Sequence, residues 1–261
     1  MLKVVKIGGN VVDNPEKLDR FLRDFSTLVG PKILVHGGGK VATTLSKALG
    51  IETQMIGGRR VTDEETLRVV TMVYAGLVNK TIVNKLQALG TNAFGLCGTD
   101  GGFILSDKRA ATPVDYGYVG DPRSVNTKLA DTLTGAGLTL VVAPITQDVQ
   151  GGLLNTNADT VAQTVAVAMA SAARSEDEDV ELIYCFEKRG VLLDVDDDNS
   201  VIAEITPDRF AELRAAGVVA DGMLPKLENA FKAIGRGVAR VVICSADAIA
   251  EPGYGGTTLK A

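Results

Sequence analysis

The chain has 261 residues, with 27 Lys plus Arg against 32 Asp plus Glu, 29 Gly, 3 Cys, one His and no Trp. That length suits one large α/β domain or two smaller lobes, and the core can be of ample size. A net charge of −5 with both signs interspersed leaves no basic footprint for a nucleic-acid backbone or an anionic membrane surface, so neither is expected as a partner.

In chain order, residues 1–7 place lysines between single or paired apolar residues and then reach Gly8-Gly9. They lack the apolar core of a signal peptide. Residues 4–7 read as a strand. Residues 15–28, with Leu18, Phe21, Leu22 and Phe25 at helical spacing, read as a helix. Residues 32–35 form a second strand that ends in Gly37-Gly38-Gly39, and a helix follows over about 41–49. Further strands are predicted at 93–96, 103–106, 138–143, 181–185 and 240–244, and further helices at 63–89, 126–134, 158–174, 207–216 and 223–234. Strands alternating with helices imply a mostly parallel sheet covered on both faces, an α/β fold.

The acidic run at 175–179 is taken as a boundary between an N-terminal lobe, 1–175, and a C-terminal lobe, 176–261. Asp194, Asp196 and Asp198 alternate as in a calcium loop, but Asn199 stands where the loop glycine belongs and no Glu closes it, so a solvated hairpin tip is expected. The longest apolar stretches, 138–145 and 238–246, fall short of the roughly 20 residues that cross a bilayer. Cys97, Cys185 and Cys244 are odd in number and widely spaced, which suggests neither a disulfide framework nor a zinc site. A cytoplasmic location is expected.

Both glycine clusters follow strands, and such turns present backbone N–H groups at the carboxyl edge of a parallel sheet, where phosphates bind. Glycines there also serve simply as turn formers. The P-loop pattern fails, because Gly39-Lys40 is followed by Val41 where a Ser or Thr belongs. Gly37-x-Gly39-x-x-Ala42 matches a dinucleotide fingerprint, yet no acidic residue follows at the ribose position. Lys6 lies inside an apolar strand beside Gly8-Gly9. A strand lysine commonly snorkels to solvent, but a fixed cation next to backbone N–H groups is what phosphoryl transfer requires.

Several segments together resemble the ordered signature of the acetylglutamate kinases, in the amino acid kinase superfamily. They are Lys6-Ile7-Gly8-Gly9, His36-Gly37-Gly38-Gly39, Gly58-Arg59-Arg60-Val61-Thr62, Asn155-Thr156-Asn157-Ala158-Asp159 and Asp221-Gly222-Met223-Leu224-Pro225-Lys226. Tyr118-Val119-Gly120, Val125-Asn126 and Thr257-Thr258-Leu259 extend the match. The resemblance implies a three-layer αβα sandwich. It also implies transfer of the ATP γ-phosphate to the side-chain carboxylate of N-acetyl-L-glutamate in arginine biosynthesis, with Mg2+ held mainly through the phosphates. An N-succinyl acceptor, a non-catalytic ligand-sensing relative and a nicotinamide-dependent oxidoreductase stand as alternatives.

By the same resemblance, Lys6 and Lys226 are the cations on the migrating phosphoryl group, and Gly9 and Gly38 donate N–H groups to it. Gly38, Gly39, Arg60 and Asn155 hold the acceptor, with Arg60 on its α-carboxylate, a pairing that guanidinium geometry favours. Asp159 orients the two lysines. Nucleotide contacts are expected from Gly8, Glu187, Lys188, Gly190, Asp221, Gly222 and Met223, in a C-terminal nucleotide lobe facing an N-terminal acceptor and dimerisation lobe. A carboxylate nucleophile is already ionised at pH 7 and needs no base, and His36 reads as a core residue. One departure stands out: the family's Leu-Thr/Ser-Asp-Val segment is here Cys185-Phe186-Glu187-Lys188-Arg189-Gly190, so Phe186 replaces a small hydroxyl and Glu187 an Asp. The chain starts at its first strand, without the extra N-terminal helix of arginine-inhibited relatives, so a homodimer without arginine feedback is expected.

Overall fold

The computed structural model describes residues 1–173, 179–219 and 223–261. Apart from Asp179, the boundary segment 175–179 lies outside the described residues, as do Asp221 and Gly222.

Eight strands form the central sheet. They are β1 (Leu2–Ile7), β2 (Lys32–Val35), β5 (Ala93–Cys97), β8 (Thr139–Ala143), β11 (Val180–Phe186), β12 (Glu204–Ile205), β13 (Arg240–Ser245) and β14 (Thr257–Leu259). Their order is β12-β14-β13-β11-β1-β2-β8-β5, parallel except for the β13–β14 pair. Strand alternation divides the core into two layers. Val5, Ile7, Leu34 and Ile183 face helices α2 (Pro15–Ser26), α3 (Gly39–Ala48), α4 (Glu64–Thr71) and α5 (Asn79–Ala88). Val4, Val35, Leu182 and Tyr184 face α6 (Thr127–Gly135), α7 (Ala158–Ala172), α8 (Pro207–Ala215) and α9 (Met223–Ile234). The result is an α/β sandwich of three layers. A π-helical turn, Met72–Val78, joins α4 to α5 without a break.

Two smaller sheets depart from the sequence reading. The segment predicted as a strand at 103–106 leaves the parallel sheet. As β6 (Ile104–Lys108) it pairs antiparallel with β7 (Gly120–Val125) and joins β9 (Ile145–Gln147) and β10 (Leu153–Asn155) in a separate four-stranded sheet. β7 reads Gly-Asp-Pro-Arg-Ser-Val, with no apolar alternation to betray it, and β9 and β10 have three residues each. The hairpin of β3 (Met55–Ile56) and β4 (Arg59–Arg60) was also missed. It turns on Gly57 and Gly58 with φ of 55° and 74°, the paired positive φ values that a two-residue hairpin turn of this kind requires. The short helix α1 (Gly9–Val12) follows β1 directly. The acidic run forms a solvated turn in which Asp194 and Asp197 side chains accept backbone N–H bonds from Asp196 and Asn199.

Candidate active site

β1 lies between β2, the next strand in sequence, and β11, a late one. Such a reversal of strand order opens a crevice at the carboxyl ends, the usual ligand site of α/β sheets. Here the crevice has a volume of about 680 Å³, and Lys6, Gly8, Gly9, Gly38, Gly39, Arg60, Glu187, Lys188, Gly190, Met223 and Lys226 all border it. A second cavity of about 210 Å³ shares Gly37 to Gly39, Met55 and Arg60 with it and adds Arg59, Tyr74, Arg109, Val119 and Asn155. The structure thus brings both glycine clusters, the hairpin and the second sheet around two adjoining cavities that share a wall.

Lys6 is buried, and its strand position points it toward the α7 layer. Its Nζ lies 2.6 Å from Asp159 Oδ1, and this is an ion pair at an angle that leaves Oδ1 without a hydrogen bond. Asp159 stands in the first turn of α7, where the helix dipole favours a carboxylate. Asn157 caps that turn by accepting from Thr160 N at 3.1 Å. Lys226 reaches in from α9. Its Nζ sits 4.0 Å above the Phe186 ring centroid, and Lys6 Nζ lies 5.2 Å from the same centroid. The two ammonium groups therefore share one aromatic ring, although among the described residues Asp159 pairs with Lys6 alone.

Gly8 caps α1, and its N–H donates to Cys185 O at 3.2 Å. The N–H groups of Gly9 and Asn10 in α1 and of Gly39 and Lys40 in α3 precede the first helical bonds, which run from Val11 and Val12 to Gly8 O and from Ala42 to Gly38 O. Gly38 must be glycine: its φ is 150°, and a Cβ there would lie 3.1 Å from the Tyr74 ring and 3.2 Å from Val78. Arg60 is buried, with Nη2 donating to Gly39 O at 3.0 Å and Thr43 Oγ1 at 2.9 Å, and Nη1 donating to Thr53 Oγ1 at 3.2 Å. These bonds fix the guanidinium plane before any ligand arrives. Asn155 Nδ2 donates to Thr62 Oγ1 at 3.0 Å. Arg109, in the same cavity, is paired with Asp121. Arg59 is exposed and lines the same cavity as well as the cleft beside Asp159 and Lys226.

Glu187 and Lys188 lie exposed at the crevice rim. Lys188 Nζ donates to Asp198 Oδ1 at 2.7 Å, and that bond holds its pKa above the usual lysine value. Gly190 is explained by packing, since a Cβ would come within 2.6 Å of Thr257 Oγ1 on β14. Met223 is half-buried at the start of α9. His36 is fully buried: Asn79 Nδ2 approaches Nε2 at 3.1 Å and Nδ1 lies 2.8 Å from Gly37 O. Burial pushes its pKa down to about 4, so the ring is neutral at pH 7. Two residues that the sequence reading did not single out, Tyr74 and Asp13, also line the site, together with Phe186, which the sequence marks only as a departure from the family pattern. Tyr74 sits on the π-helical turn, Phe186 sits beneath both lysines, and Asp13 borders the crevice with neither carboxylate oxygen in a well-formed hydrogen bond. A polar residue just ahead of the Asn14-Pro15 helix start carries no signal that the Asp13 carboxylate oxygens would be buried there.

The model of the amino acid kinase family matches residues 1–245. The chain is 53% identical over 251 residues, 96% of its length and 93% of the relative's, to the acetylglutamate kinase of Cytophaga hutchinsonii. It is 52% identical over 259 residues, 99% of this chain and 98% of the relative, to the acetylglutamate kinase of Phocaeicola vulgatus. Among solved structures, N-acetylglutamate synthase from Neisseria gonorrhoeae, complexed with coenzyme A and N-acetyl-glutamate, superposes with a TM-score of 0.82. It does so at 21% identity, covering all of this chain and 59% of that one, which is a likeness of fold.

Proposed function

The chain belongs to the amino acid kinase family and, within it, to the acetylglutamate kinases; from that premise we propose that it phosphorylates N-acetyl-L-glutamate with ATP. The product is N-acetylglutamyl 5-phosphate, an intermediate of arginine biosynthesis. The observation that carries this reading is that two adjoining cavities share Gly37 to Gly39 and Arg60 as a common wall. A pre-organised guanidinium, Arg60, stands in one, and two ammonium groups share a ring in the other.

In this reading Arg60 binds the acceptor's α-carboxylate while Asn155, Gly38 and Gly39 hold the rest of it. The side-chain carboxylate then attacks the γ-phosphorus, forming one O–P bond as the bond from that phosphorus to the β,γ-bridging oxygen breaks and ADP leaves. No proton is transferred, which agrees with a neutral, buried His36. Negative charge spreads over the phosphoryl oxygens in the transition state. Lys6, Lys226 and the N–H groups of Gly9 and Gly38 neutralise it there. ATP is assigned to Gly8 and to Glu187, Lys188, Gly190 and Met223 of the C-terminal lobe, 176–261, where the resemblance also names Asp221 and Gly222, and the acceptor to the N-terminal lobe, 1–175. Mg2+ would be held largely by the phosphates and its own waters. The orphaned oxygens of Asp13 on the crevice wall fit such a hydrated cation. When bound, it offsets charge on the triphosphate.

No helix among the described residues is long and apolar enough to cross a membrane. We place the enzyme in the cytoplasm, which suits three buried free cysteines. A hydroxamate assay for acyl phosphate, run with ATP, Mg2+ and N-acetyl-, N-succinyl- or free glutamate, tests the activity. N-acetylglutamate is expected to be the best acceptor, and a folded preparation that yields no acyl phosphate from it refutes the proposal. Lys6→Ala and Lys226→Ala should each lower kcat by about a hundredfold, as loss of one charge-stabilising group does, while Arg60→Ala mainly raises KM for the acceptor. Normal turnover by either lysine variant would remove that residue from the mechanism.

A further inference from the structure

Asp159 leaves half of its expected task undone. It pairs with Lys6, whereas Lys226 is exposed on α9 and has no ion pair or hydrogen bond among the described residues. Its contact is the face of Phe186, with Nζ 4.0 Å from the ring centroid. A cation within about 6 Å of a ring centroid is attracted by the ring quadrupole, so Lys6, at 5.2 Å, feels the same ring.

Three features make this contact a built one. Phe186 ends β11, and strand alternation puts it on the same face as Tyr184 and Lys6, because Tyr184 is the register partner of Lys6. Tyr184 is buried and stacks on Phe186, with centroids 6.0 Å apart and planes 12° apart, which fixes the ring's orientation. The ring stands on the inner wall shared by the crevice and the small cleft that Asp159 and Lys226 line. Two ammonium groups waiting for one phosphate repel each other, and Asp159 answers only one of them. An electron-rich ring within reach of both offers the second cation a favourable resting place without a competing negative charge that would have to be displaced when phosphate enters.

We propose that Phe186 is a positioning residue for phosphoryl transfer: its ring gathers Lys226 beside the Lys6–Asp159 pair and holds both cations ready for the γ-phosphate. This rests on the kinase reading above. It gives a reason for an aromatic residue at the position where the sequence departs from the acetylglutamate kinase pattern.

The test compares Phe186→Leu with Phe186→Tyr, using ATP, Mg2+ and N-acetylglutamate, with circular dichroism as a check on folding. Phe186→Leu should lower kcat about tenfold while KM for N-acetylglutamate stays within about twofold, and Phe186→Tyr should recover most of the loss, in keeping with the strength of a cation–π contact. In protein labelled at lysine, the Hε resonances of Lys226, identified by their disappearance in Lys226→Arg, should be shifted upfield by ring current and return toward free lysine in Phe186→Leu. Unchanged kcat in Phe186→Leu, equal damage in Phe186→Tyr, or unshifted Lys226 resonances would each overturn the proposal. The resonances require no turnover, so they judge the ring contact separately from the kinase reading. Should the leucine variant not fold, the wild-type shift relative to free lysine decides by itself.

Discussion

Lys6 and Lys32 are both lysines buried in neighbouring strands, and only their partners separate their roles. Lys32 Nζ donates to the carbonyls of Phe25, Ser26 and Leu28 at 3.2, 3.0 and 2.7 Å, closing the carboxyl end of α2. Lys6 instead meets Asp159 and the Phe186 ring at the crevice. His36 carries a residue-scale prediction. Its native pKa of about 4 lies below the ordinary 6.5, so below pH 6.5 the unfolded chain takes up a proton that the native state refuses. Stability therefore falls as pH drops from about 6.5 toward 4, by on the order of 3 kcal/mol in all, and the term is absent above that window. Thermal unfolding of the wild type and of His36→Gln at pH 7 and pH 5 checks this. The drop between the two should be smaller in the variant, and equal drops would show that His36 does not drive it.

At the scale of elements, a cap can stabilise a helix and also aim a side chain. Thr206 caps α8 by accepting from Arg209 N at 3.3 Å, and Asn157 caps α7 by accepting from Thr160 N at 3.1 Å. Thr206→Ala and Asn157→Ala should each cost about 1 kcal/mol, read as a fall of roughly 2–4 °C in Tm for a chain of this size. Only Asn157→Ala should also lower kcat, because the first turn of α7 carries the Asp159 that holds Lys6. Equal kcat in both variants would mean that the turn is held by its packing and not by its cap. The π-helical turn acts comparably on the other side of the site. Its wider spacing brings Tyr74 and Val78 against Gly38, and π turns often mark functional positions.

At the scale of the whole molecule, the central sheet ends at β5, whose outer edge has no strand beside it among the described residues. Phe94 on that strand, and Met72 and Leu77 on the π-helical turn, are 44%, 54% and 59% exposed. An uncovered sheet edge is a template for pairing with another chain, and exposed apolar residues near it add surface for a partner to bury. We infer a homodimer that uses this side of the N-terminal lobe. Sedimentation should report a dimer for the wild type and a folded monomer for Phe94→Asp; a monomeric wild type would end that inference.

The alternating β-Gly-α pattern determined the three-layer architecture, because apolar periodicities of 2 and 3.6 are local properties of the chain. The ordered motifs around Lys6, Gly38, Arg60, Asn155 and Lys226 likewise named candidates by type and order. Of the second sheet only β6 was legible, since β7 is polar and β9 and β10 are held by pairing across the chain rather than by their own composition. The meeting of Lys6, Phe186 and Lys226 was equally hidden. Those residues are 180 and 40 positions apart in sequence, and only the parallel register of β1 with β11, and the packing of α9 across them, sets two ammonium groups on one ring.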